Sequence, residues 1–211
     1  MNENAGKAIR LIVIIAVSAT IGIILGHLVS NYELRFMISR EYRGEVNGVE
    51  IYCAGDVNED NLALHELMLE RAPSKLAECC ERIYFTGEDP GLPAADAGIG
   101  TALGLTQDRT VYISTQDFST YVVFHELFHA YDNANGEISS NSVPFIRAYN
   151  ANRGSIPVFA SHTSAYPSEF FAQAGAMYLL IPDKLEISAP ETYKFFSETL
   201  GFGESDALPE E

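Results

Sequence analysis

The chain has 211 residues, 47% of them hydrophobic and 20% charged, enough for one folded domain with an appendage. Its formal charge of −16, with no Lys/Arg cluster, excludes a nucleic-acid partner, because phosphate demands a basic surface. Cys53, Cys79 and Cys80 lack C-x-x-C spacing, which argues against a zinc knuckle or a dithiol redox motif; buried free thiols and a pairing of Cys53 with Cys79 or Cys80 both stay open.

After a short tail over residues 1–10, Leu11–Ser30 (LIVIIAVSATIGIILGHLVS) is uncharged and long enough to span a bilayer as a helix. The small residues at Val17-Ser18-Ala19 also suit a cleaved signal peptide, but apolar sequence continues through Leu28, so an uncleaved anchor is the expectation. Lys7 and Arg10 precede the span while Arg35, Arg40 and Arg43 follow it, so charge does not orient it. The expectation is a single-pass signal anchor in the cell membrane, with the folded domain outside the cytoplasm. Residues 31–46 read as a charged juxtamembrane connector, residues 47–202 as the domain.

Within the domain, Gly48–Gly55 alternates Val49, Ile51 and Cys53 against Glu50 and Tyr52, the period of a strand. Asn58–Arg71 is a helix capped by Asn58 and stopped before Pro73; its His65 and Glu66 receive no role. A short helix over Pro73–Cys80 and a strand at Arg82–Thr86 complete a β-α-β-like start. Gly87–Arg109, rich in Gly, Pro, Ala and Asp, reads as an irregular loop. Thr110–Ser114 follows as a strand, expected at the sheet edge, where it would hold an extended peptide by backbone pairing.

Tyr121–Asp132 (YVVFHELFHAYD) contains His125-Glu126-Leu127-Phe128-His129, an H-E-x-x-H pattern. Two histidines four apart on a helix share a face, so both imidazoles reach one tetrahedral metal ion at roughly 2.0–2.1 Å. Glu126 reaches the remaining position, where it would act as general base on metal-bound water. The surrounding Val122, Val123, Phe124, Leu127 and Phe128 predict a buried helix, in which histidines and a carboxylate need partners. Asp132, three residues after His129, is placed to hydrogen-bond a ligand histidine.

Asn133–Gly136 ends that helix, and a short helix is expected around Val143–Asn152. Pro167–Ile181 (PSEFFAQAGAMYLLI) is an apolar helix with proline at its first position. Glu169, a carboxylate in that apolar run, is the best candidate for the third metal ligand, ahead of Glu137 and Asp132; an ordinary first-turn glutamate is the rival reading. Ser188–Leu200 is a final amphipathic helix, and Gly203–Glu211 an acidic tail expected to be disordered.

Taken together, HELFHAYD, YPSEFFAQA and APETYKFF, in this order and separation, resemble the lethal-factor-like zinc metallopeptidases, the group of the anthrax toxin lethal factor catalytic domain and the Pro-Pro endopeptidases. The resemblance covers most of residues 45–200. It implies zinc on His125, His129 and Glu169, with Glu126 as base. It also implies a tyrosine, seven residues before the glutamate ligand, that donates to the oxyanion; here that position is His162 and the nearest tyrosine is Tyr166, so either is a candidate. An acidic residue that the family places four after the ligand is Gln173 here, which keeps hydrogen bonding without charge.

The expectation is therefore an α+β, zincin-like domain, a small sheet followed by the metal helix and a mostly helical C-terminal half, behind one transmembrane helix. Its activity would be zinc-dependent hydrolysis of peptide or protein substrates. The alternative is an inactive zincin-like domain that binds a protein or peptide at the membrane surface.

Overall fold

The computed structural model describes residues 40–87, 104–156, 166–203 and 206–208. The membrane span expected over 11–30 and the oxyanion candidate His162 both lie outside the described residues. Among the described residues no helix is long and apolar enough to cross a membrane. The compact unit containing the metal helix runs Glu41–Glu211.

The sheet begins with strand β1 (Arg40–Val46) and strand β2 (Val49–Ala54). Asn47 and Gly48 between them stand at φ 50° and 79°, the left-handed pair that a two-residue hairpin turn of right-handed twist needs. The sequence of β1, REYRGEV, is charged and mostly exposed, which is why it reads as part of a connector; backbone pairing, not a buried face, makes it a strand. Helix α1 (Glu59–Glu70) is capped by Asn58, whose side chain accepts from the Asn61 N–H at 3.1 Å. Helix α2 (Ser74–Ala77) and strand β3 (Arg82–Thr86) follow, and β3 pairs parallel to β2.

Strand β4 (Gly104–Gln107) and strand β5 (Thr110–Ser114) form an antiparallel hairpin turned at Asp108, which takes φ 52°. Aspartate tolerates that conformation better than most residues. The strand order is β1-β2-β3-β5-β4. This corrects the sequence reading on one point that matters for function. β5 is interior, paired with β3 on one side and β4 on the other, so it has no edge for a peptide; the end strand is β4, within the stretch read as an irregular loop. A proline at Tyr112 would break the sheet and say nothing about substrate.

By alternation, Val49, Ile51, Cys53, Ile83, Phe85, Val111 and Ile113 share one face of the sheet, and they join one buried core with Leu62 and Leu69 of α1. The same core takes Val123, Phe124, Leu127 and Phe128 from helix α3 (Thr120–Ala134). His65 is enclosed there too, its ring 5.7 Å from Phe85 and 5.2 Å from Phe118. Burial pushes its pKa down to about 4, so it packs as a neutral aromatic at pH 7. Cys53, Cys79 and Cys80 are free thiols.

The C-terminal half is helical: α4 (Ile138–Asn141), α5 (Val143–Asn152), α6 (Pro167–Leu180), α7 (Pro182–Ser188) and α8 (Pro190–Lys194), which runs on into a wider turn at Phe195–Thr199. The single helix expected over Ser188–Leu200 is interrupted at Ala189, whose φ of −144° and ψ of 64° are not helical, as expected before Pro190. Part of the expected tail is packed: the Leu208 N–H donates to the Leu179 carbonyl at 2.8 Å and Gly203 N–H to Asp206 Oδ2 at 2.7 Å.

Helix α6 is buried from Phe170 to Leu179 and lies against α3. Gly175 makes that approach possible, since a Cβ there would sit 2.5 Å from the Phe128 ring. Phe128 is itself fully enclosed and precedes His129, so it has nowhere to go. Gly175→Ala is expected to destabilise the domain by about 1–3 kcal/mol, the usual cost of overpacking a core, read as a lowered urea midpoint at unchanged slope.

Candidate metal centre

Helix α3 places its apolar residues toward the sheet and α6, which leaves His125 and His129, one turn apart, on the side facing the start of α6. Proline at the first position of α6 starts that helix, and its first turn carries Glu169. The result is three donors from two helices. His125 Nε2 and His129 Nε2 are 3.1 Å apart, with the rings at 81°. Glu169 Oε2 is 3.3 Å from His125 Nε2, and Glu169 Oε1 is 3.4 Å from His129 Nε2. Among the described residues, these three form the one group whose candidate ligand atoms all lie within 4.8 Å of one another.

These separations fit a zinc ion. Ligands at 2.0–2.1 Å around a tetrahedral centre are about 3.3–3.4 Å from each other, close to the 3.1, 3.3 and 3.4 Å found. The charge balance agrees. Burial would raise the Glu169 carboxyl, but the hydrogen bonds and charge of His125 and His129 hold it well below the usual carboxylate range. Burial would lower the His129 imidazole, but Glu169, Glu126 and Asp132 together raise it. Both directions express one demand, for positive charge beside Glu169, which a divalent cation supplies.

The remaining sequence-derived candidates divide. Glu126 is buried, 5% exposed, with its carboxylate against β4. Asp132 accepts its hydrogen bonds from helix α4: Oδ1 accepts the Ser139 N–H at 2.7 Å and Oδ2 the Ser139 hydroxyl at 2.5 Å, so it acts on His129 by charge while tying α3 to α4. Glu137 caps α4 at φ 55° and does not join the donor group. Gln173 is buried one turn after Glu169. Tyr166 stands at the N-cap of α6, one turn before Glu169, 54% exposed.

Two contacts at the site lie beyond what the sequence offers. The Tyr121 hydroxyl donates to the Gln173 carbonyl at 2.6 Å, fastening α3 to α6 one turn from each set of ligands. Thr106 of β4 donates to Glu126 Oε2 at 2.6 Å. Tyr121 carried a signal, being four residues before His125 on the same helix face; Thr106 carried none, because its strand was not legible.

Comparison with known proteins bears on the same region. The family described as anthrax toxin lethal factor, N- and C-terminal domain, matches residues 107–199. Among solved structures, the Pro-Pro endopeptidase from Paenibacillus alvei is similar at a TM-score of 0.58, with 22% sequence identity over 71% of this chain and 96% of that one. No curated protein sequence matches. The family match encloses the whole His125–Glu169 centre and the structural likeness is one of fold, so the chain is similar to the lethal-factor-like zinc metallopeptidases.

Proposed function

We propose that the protein is a membrane-anchored zinc metalloendopeptidase, HExxH…E in type, that hydrolyses peptide bonds. The observation that carries this is the donor set His125, His129 and Glu169, at 3.1–3.4 Å from one another, with a buried glutamate next to the first histidine in sequence. Zinc held there would polarise the attacking water and the scissile carbonyl. Glu126 takes the proton from that water and gives it to the leaving nitrogen. Tyr166 or His162 donates to the oxyanion. Gln173 and Asp132 support the ligands from behind, Asp132 through charge.

Substrate enters this reading through β4. As the end strand of the sheet beside α3, it offers backbone N–H and C=O groups to an extended peptide, the role the sequence assigned to β5. Residues 11–30 hold the enzyme in the cell membrane as a single-pass anchor, with residues 47–202 as the catalytic domain outside the cytoplasm. The name of the structural neighbour makes proline around the scissile bond the first specificity to try.

The test is a diverse peptide library, including proline-flanked members, exposed to the full-length chain in detergent with zinc. Cleavage that stops on chelation and returns with zinc is the expected result. A folded chain that takes up zinc and cleaves nothing would favour the alternative, a domain of this fold that binds a protein or peptide without hydrolysing it.

A further inference from the structure

The glutamate of the metal helix is seated on the end strand of the sheet. Gly104 and Thr106, two residues apart on β4, share the face whose partners on β5 are Ile113 and Val111, and that face meets Glu126. At Gly104 a Cβ would lie 2.5 Å from Glu126 Oε1 and 2.6 Å from Cγ, so glycine is what allows the carboxylate to lie there. At Thr106 the hydroxyl oxygen is 2.6 Å from Glu126 Oε2 and 3.0 Å from the Glu126 carbonyl oxygen. That hydroxyl has one proton and two acceptors in reach; the shorter distance and the ionic charge assign it to Oε2.

We infer that Thr106 is a positioning residue for Glu126, orienting the base from the inner face of β4. The inference rests on the peptidase reading above. The physical reason is that the terminal torsion of a glutamate is broad and nearly two-fold, so packing alone does not fix which oxygen faces a reacting water. A hydrogen bond to Oε2 fixes it, with Oε1 seated over Gly104, where a Cβ would lie 2.5 Å away. Proton transfer needs an approach of about 2.6–3.2 Å, and a misplacement of about 1 Å costs on the order of a hundredfold in rate.

The experiment uses the full-length, zinc-loaded chain in detergent and a peptide that it cleaves. Thr106→Val keeps the shape and removes the donor; it is expected to lower kcat about 10- to 100-fold with KM unchanged, and Thr106→Ser to restore most of the rate. A second readout needs no turnover: a double-mutant cycle of Thr106→Val and Glu126→Ala on urea unfolding is expected to show a coupling of about tenfold in the unfolding constant. Unchanged kcat in Thr106→Val, a loss that serine does not rescue, or an absent coupling would each overturn the inference. Inactivity of the unmodified chain would overturn the peptidase reading instead, and the cycle would still decide whether Thr106 holds Glu126.

Discussion

Replacing Glu126 by glutamine is expected to lower kcat by about three orders of magnitude while leaving zinc affinity unchanged. General-base catalysis contributes typically 10²–10⁴-fold, and Glu126 is the carboxylate next to His125 that takes no part in the donor group. Glutamine suits the test because it is isosteric. Its amide oxygen still accepts from Thr106, it still fits over Gly104, and it still fills a site where Glu126 is only 5% exposed. What it loses is the capacity to take a proton. Turnover on the best library peptide, measured beside a competition titration with a chromogenic chelator, separates chemistry from metal binding. Full activity in this variant would sink the proposed mechanism, whatever happens to zinc.

Glu169→Ala should act on the other quantity. Loss of outer partners of metal ligands costs about 10- to 100-fold in affinity, so loss of a direct ligand is expected to cost more than about a hundredfold. Two imidazoles alone also leave the ion without the carboxylate that both of them face at 3.3 and 3.4 Å. Because a ligand that binds only the folded state stabilises it, the zinc-dependent rise in Tm should shrink with the affinity. Chelator competition and thermal melts with and without zinc measure both effects. If Glu169→Ala bound zinc as tightly as the unmodified chain, Glu169 would be the ordinary first-turn glutamate that its sequence position also allows, and the third donor would have to be sought elsewhere.

The two predictions differ in how the residues became visible. His125, Glu126 and His129 sit within five residues on one helix, and a helix face is fixed by local periodicity alone. Glu169 is remote, but a carboxylate in an apolar helix announces a missing partner, and the partner proved to be the two histidines. Asp132 shows where this reasoning stops. Its spacing from His129 is right for a helix face, yet Ser139 of the next helix takes both of its carboxylate oxygens, a choice made by the path of the loop after α3.

Strand β4 is the larger omission. Four residues, Gly104-Leu105-Thr106-Gln107, without β-branched alternation and turned by Asp108-Arg109 with no glycine, carry too little local preference to stand out from the stretch before them. Its position at the end of the sheet depends on strand order, and strand order is set by pairing between residues far apart in the chain. Composition, periodicity and spacing therefore determined the candidate donor group, the candidate base and the helices that carry them, because each follows from contacts within a few turns of one helix or from the cost of one buried charge. Which strand lies beside Glu126, which hydroxyl meets it, and which strand ends the sheet next to α3 were decided only when the sheet closed against the helices, since those are properties of pairs of segments and neither segment specifies them by itself.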